Sequence, residues 1–169
     1  MTPGDFVSVL SHGLLVGPIL TSEVSAALAH SPADIVRRLL IRLGVGTDPD
    51  DAQPWPVYAS GEPSSPDSAI TVYDTIGRQN GRIQTSGMQH EYHGVQVRVR
   101  AAAHTAGFAK ARSIAVALDE DVYLTNVYIG AASYLVHSMM RTGDVIALGK
   151  SDSKRSIFTI NALASLRQV

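Results

Sequence analysis

Between Tyr92 and Glu120 the apolar residues change their period. Val95, Val97 and Val99 alternate with Gln96, Arg98 and Arg100, which gives an extended strand one apolar and one charged face. After Ala101–His104 the apolar positions become Phe108, Ala111, Ile114, Ala115 and Leu118. That three-and-four spacing predicts a helix with one buried stripe, over about residues 105–120. The two apolar surfaces set what the remaining chain has to cover.

Upstream, Ser31 is placed to cap a second helix, with Pro32 at its first position and Asp34 three residues after the cap. Ile35, Val36, Leu39, Leu40 and Leu43 make its stripe, Gly44 marks its end, and Arg37, Arg38 and Arg42 read as a solvated face. The predicted helix spans about residues 32–43. Ser22–His30 favours a short helix, and the apolar clumps of residues 1–20 read as a buried or interface-seeking arm.

Trp55–Ser60 and Ala69–Thr75 have strand composition and are separated by the polar loop GEPSSPD. Ile76–His90 contains Asn80-Gly81 as a turn signal, with Gly77 and Gly87 as looseners, and is expected to be a long mobile hairpin or loop. Beyond the central helix, Val122–Ile129, Ser133–Met140, Asp144–Leu148 and Ser156–Asn161 continue the strands, with Gly149–Arg155 as a polar connection. Helix, strands, helix, strands is the order of an α+β fold, here a mostly antiparallel β-sheet packed with a central helix and an N-terminal helix.

Length and composition narrow this little further. The 169 residues, 45% hydrophobic and 17% charged, suit one globular domain, 1–169. A formal net charge of −1 disfavours a basic nucleic-acid-binding module, and zero cysteines excludes disulfides, thiolate metal sites and a cysteine nucleophile. Phe6–Leu20 is read as neither signal peptide nor membrane span, because it holds His12, two glycines and Pro18 and falls short of the ~20 apolar residues a span needs.

Candidate chemistry is sparse. GDVIALGKS, residues 143–151, ends like a phosphate-binding loop but has five residues between its glycines where that loop has four, and a β-hairpin explains it. His90, His93 and His104 with Glu91 form the histidine cluster, and zincin spacing is missing, so surface or capping roles are preferred. Asp48, Asp50 and Asp51 lack the pattern of a calcium loop. Asp119, Glu120 and Asp121 sit at the unfavourable end of a helix for negative charge. No catalytic, cofactor or metal residue is assigned. Arg98 and Arg100 project together from the polar face of their strand, toward a neighbouring subunit, solvent, or a helix laid over that face.

AITVYDTIG at Ala69–Gly77, GVQVRVR at Gly94–Arg100, GFAKA at Gly107–Ala111 and GKSDSKRSIFTIN at Gly149–Asn161 resemble, in order and spacing, phage minor capsid or tail-terminator proteins of siphovirus-like tails. The likeness covers roughly residues 55–162, leaving 1–50 as a helical or arm region. His93 stands where that family usually has proline, and Phe108 where tyrosine is commoner. The resemblance implies a non-enzymatic subunit assembling as a ring, hexameric by family likeness, on the head-proximal end of the tail tube. Implied partners are other copies of the chain, the tail tube protein and a head-completion or connector protein, with no membrane and no specific nucleic acid, although DNA would pass through the ring. The implied location is the virion neck, with assembly in host cytoplasm. A head-closure subunit of the same neck, or a small hydrolase or metal enzyme built on the histidines, are the competing readings. The expected contact residues are Arg78, Arg82 and Met88 in the Gly77–His90 loop, with Arg98 and Arg100 on the sheet.

Overall fold

A computed structural model describes residues 27–80 and 91–169. The apolar run 6–20, Arg82, Met88 and His90 lie outside the described residues, as does most of the helix expected at Ser22–His30, whose described part, Ala27–His30, is not helical. The elements are α1 (Pro32–Arg42), a short 3-10 turn (Pro49–Asp51), β1 (Val57–Ala59), β2 (Ala69–Gln79), β3 (Glu91–Ala101), α2 (His104–Glu120), β4 (Tyr123–Ile129), β5 (Ala132–Arg141), β6 (Ile146–Lys150) and β7 (Ser156–Gln168). The strands form one sheet ordered β1-β2-β3-β7-β5-β4, with β6 also on β7; every pairing is antiparallel except β1 with β2. The α+β expectation holds.

Both helices back one face of the sheet. Its inner surface is Ile70 and Val72 of β2, Val95, Val97 and Val99 of β3, Phe158 and Ile160 of β7, and Tyr134 and Val136 of β5, all buried. Because α1 touches β1, β2 and β3 and also β4 at the opposite end of the strand order, the sheet curls around it. Helix α1 begins as its sequence specifies: Ser31 Oγ accepts the Asp34 amide at 3.1 Å and donates to the Asp34 carboxylate at 3.0 Å, while the Asp74 carboxylate of β2 accepts the Ala33 amide at 2.8 Å. Two orphan amides of the first turn are satisfied, one by the cap and one by the sheet. The three arginines of α1 remain partly solvated, Arg42 most of all, but they also bind other elements. Arg37 donates to the Val57 carbonyl at 2.8 Å and, with Arg38, holds Asp48, while Arg42 reaches the Asn126 carbonyl of β4. They fasten the helix to elements on both sides of it.

Helix α2 buries Gly107, Ala111, Ile114, Ala115, Ala117 and Leu118. The expected stripe is shifted at its start, where Gly107 is the buried residue and Phe108 is half exposed. The reason is a close crossing: a Cβ at Gly107 would stand 2.6 Å from Phe158 and 2.9 Å from the Ala101 Cβ. Only glycine lets the helix settle onto Phe158, whose ring Phe108 and His104 then flank edge-on. At the other end, Asp119 opposes the helix dipole but takes a fork of bonds from Arg141 of β5, at 2.6 and 2.9 Å. This bond raises the Arg141 pKa further above its ordinary range.

The largest departure from the sequence reading concerns Ile76–His90. β2 does not end at Thr75 but runs to Gln79, paired with β3 through Arg78↔Tyr92 and Gln79↔Glu91. Gly77 is a strand residue at a β-bulge, and it lies so near its partner that an added Cβ would sit 2.4 Å from the Tyr92 carbonyl oxygen; across the ladder a Cβ on Gly94 would sit 2.2 Å from the Ile76 carbonyl oxygen. The glycines mark close backbone approach and a bend in a projecting ribbon. At the opposite end of the strands, β5 and β6 lie in tandem along the same side of β7, joined where the Thr142 amide bonds the Asn161 carbonyl at 2.9 Å. Replacing Gly107 by alanine is expected to destabilise the fold by about 1–3 kcal/mol through overpacking, measured as a lower urea midpoint with unchanged slope.

Candidate functional site

The sheet face opposite the helices carries Arg98 and Arg100, and a loop rather than a helix meets them, leaving Arg98 partly open to solvent and Arg100 buried. The loop 60–68 folds back over this face. Glu62 receives Arg98 at 3.1 Å and Arg100 at 3.2 Å, and Arg100 also donates to the Pro63 and Pro66 carbonyls, both at 2.6 Å. From the start of β7, Arg155 donates to the Ser64 carbonyl at 2.8 Å and pairs with Asp67. Three arginines, two on β3 and one immediately before β7, thus strap one loop down. Arg100 retains only 5% of its surface, and Thr71 and Thr159, which flank Arg98 across the ladders, are buried with it. A guanidinium suits this task because its planar fork can serve a carboxylate and two carbonyls at once. Period-two alternation located the arginines, but nothing in GEPSSPD identified Glu62 as their partner, since that pairing spans 36 and 38 residues of sequence.

Tyr73, on the same face, has Arg98 over its ring at 5.2 Å. Burial raises the phenol pKa and the charge of Glu62 adds to it, with Arg98 acting in the opposite direction. Lys110 of α2 is a second shifted group: it donates to the Val45 carbonyl at 3.1 Å above the Trp55 ring, and burial lowers its pKa.

The other sequence candidates fall apart in space. Arg78 is exposed on the β2–β3 ribbon, at the opposite end of β3 from Arg100. His93 and His104 are separated by the run of β3 from residue 93 to 101, roughly 26 Å of strand, and His104 packs on Phe158 at 5.0 Å. Asp48 is engaged by Arg37 and Arg38. Among the described residues no three His, Asp or Glu side chains group as metal ligands, and no helix is long and apolar enough to cross a membrane. Gly143–Ser151 contains the edge strand β6 and leads into the turn before β7, as the hairpin reading required.

What distinguishes the described surface is strand edge with apolar side chains beside it. Ile76 on the ribbon is 95% exposed, and Tyr123, Leu124, Met140, Ile146 and Leu148 are exposed along β4, β5 and β6. Between the end of α2 and the β5–β6 junction lies an open depression of about 510 Å³, lined by Asp119, Met139, Met140, Arg141, Gly143 and Asp144. These surfaces can bind another protein chain by backbone pairing and apolar contact.

The fold and surface therefore define an α+β subunit, a curled antiparallel sheet backed by two helices, with open strand edges. A family model for the bacteriophage tail terminator protein matches residues 39–168, and the chain belongs to that family. It is a structural protein of the phage tail type, and the match begins inside α1, which is part of the core. One similar solved structure, titled "Virion of native gene transfer agent (GTA) particle", shares 12% identity over 66% of this chain and 78% of its own, with a TM-score of 0.43. No curated protein matches.

Glu62→Ala is expected to cost on the order of 3 kcal/mol, because it strands the buried Arg100 charge; the more exposed Arg98 contributes less. The readouts are urea unfolding and new protease cleavage between Gly61 and Ser68. Tyr73 supplies a pH signature. Its raised folded-state pKa means that its contribution is intact below the ordinary value of 10.0 and is lost as pH rises through the higher folded value. Tyr73→Phe is expected to show a smaller loss of unfolding free energy than the wild type above pH 10.

Proposed function

We propose that this protein is the tail terminator of a long non-contractile phage tail, forming a ring on the head-proximal end of the tail tube and joining it to the head. The observation that carries the reading is the family match over residues 39–168. Open strand edges and exposed apolar side chains beside them support it, since these are the features through which copies of a subunit associate. Once the ring closes, its free surface differs from that of the tube subunit below, and polymerisation stops for geometric reasons.

The partners in this proposal are other copies of the chain, six by family likeness, then the tail tube protein, then a head-completion or connector protein. DNA passes through the opening without sequence readout. The protein carries out no chemistry and needs no cofactor, and it resides in the virion neck after assembly in the host cytoplasm. The chain acts as one domain, with the segment before the core serving as an arm and Arg78, Arg82 and Met88 available for contact.

Electron microscopy of the purified protein is expected to show closed rings with a central opening. In co-sedimentation, the protein is expected to cap one end of preformed tail tubes and to arrest their growth at substoichiometric amounts. A subunit that stays monomeric at high concentration, even with tubes present, overturns the proposal. Binding to portal-side protein without binding to tubes replaces it with head closure.

A further inference from the structure

Besides the outer side of β4 and residues 165–168 of β7, two stretches of strand in the described sheet have no strand neighbour on one side, and they lie on different flanks. β1 pairs with β2 only at Ile70, Thr71 and Val72. Beyond this, Asp74–Gln79 pair with β3 alone, and all six residues are exposed. On the other flank β4 accompanies β5 only as far as Ser138. Met139–Arg141 and the whole of β6 therefore have an open side, with Tyr123 and Leu124 exposed beside the point where β4 stops. The end strands β1 and β4 are met by the rest of the chain only at single points. The Val57 amide of β1 bonds the Thr47 carbonyl at 3.0 Å, and Arg42 takes the Asn126 carbonyl of β4. Natural sheets blunt an uncovered edge with charge, proline or brevity, whereas these two stretches carry Ile76 on one and Met140, Ile146 and Leu148 on the other.

The stretches are complementary to each other. The first presents an apolar side chain at 95% exposure and, two residues on, the cation Arg78. The second carries Asp144, whose side chain is 91% exposed with Arg141 only 3.7 Å away as a loose partner, and Glu120 and Asp121 are exposed at the end of α2. Ile76 stands in the register shift between Thr75 and Arg78, next to Gly77, where a bulge locally bends and twists a strand. We propose that the Asp74–Gln79 edge of one copy docks along the Met139–Lys150 edge of a second copy, with Ile76 entering the depression beside Met140 and Arg78 facing Asp144.

The inference rests on the ring reading and supplies its lateral contact. The two surfaces differ, so the contact is heterologous and repeats head to tail, closing a ring when the rotation closes. β2 runs antiparallel to β5 and β6 within the chain, through β3 and β7. Copies rotated about an axis along the strands therefore meet antiparallel, and the offset between the edges becomes strand tilt.

The natural chain has no cysteine, which makes crosslinking clean. Ile76→Cys combined in turn with Met140→Cys and with Leu148→Cys is expected to give, on mild oxidation, a covalent ladder ending at the ring number, whereas each single cysteine gives none. Arg78→Glu and Asp144→Arg, both at exposed positions, are each expected to shift native mass spectra from ring to monomer, and the two together in one chain to restore the ring. If neither cysteine pair crosslinks and both single reversals leave the oligomer intact while the wild type forms rings, this contact is overturned and the ring reading stands. If the wild type is monomeric with and without tail tube protein, the ring reading fails and this contact fails with it.

Discussion

The unbroken pairing of β3 with β7, from His93↔Ala164 to Ala101↔Ser156, is the constraint on which the remaining architecture hangs. It fixes which residues share a face. On the inner face it aligns Val95, Val97 and Val99 with Ala162, Ile160 and Phe158, a smooth apolar floor on which α2 lies. On the outer face the same register sets Arg98 beside Thr159 and Arg100 beside Ile157, with Arg155 immediately before β7. A slip of one residue would send the valines outward and drive two guanidinium groups into the helices. Core and strap are two consequences of one register.

Arginine in this chain works less as a field than as a fastener. Arg37, Arg38, Arg42, Arg98, Arg100, Arg141 and Arg155 each donate to an acceptor on another element. Several of those acceptors are backbone carbonyls on edge strands or in loops, where the sheet ladder supplies no partner. The near-neutral net charge of −1 conceals this use. It also explains how a loop as polar as residues 60–68 can lie against a sheet: its carbonyls and carboxylates are taken up one by one by groups already held in register.

The local half of the structure was legible in the sequence. The Ser31 cap, the stripe of α1, the alternation of β3 and the β6–β7 hairpin each depend on residues a few positions apart, and each was found where its period or cap signal put it. What escaped depended on partners distant in sequence. Glu62 and Asp48 gave no sign of which arginines they would meet. Gly77 was read as a loosener because glycine in a strand has two meanings, entropy and close approach, and only the neighbouring backbone of Tyr92 and Gly94 decides between them. Phe108 was assigned to the core by spacing, but Gly107 already brought the helix so near Phe158 that no room remained beneath it. Of the contact candidates, Arg100 is committed within its own subunit and Arg78 is exposed; Arg82 and Met88 lie outside the described residues.

The ring proposed above needs pairing between copies around its circumference and axial faces that bind partners without templating a further layer, and the distribution of backbone groups in this chain suits that proposal. The described strand ends are closed by turns that satisfy themselves. β4 passes to β5 through two residues, Gly130 and Ala131, with Gly130 at φ +57° and Ile129 paired to Ala132. The β6–β7 turn bonds internally, from the Ser151 amide to the Arg155 carbonyl and from the Lys154 amide to the Ser151 carbonyl, both at 2.8 Å. Unused donors and acceptors lie instead along the sides of β2, β4, β5 and β6. If the strands stand near the ring axis, such a subunit offers backbone pairing sideways and little of it endwise. Lateral growth is then consumed when the circle closes, and no strand edge remains facing along the axis to template another layer.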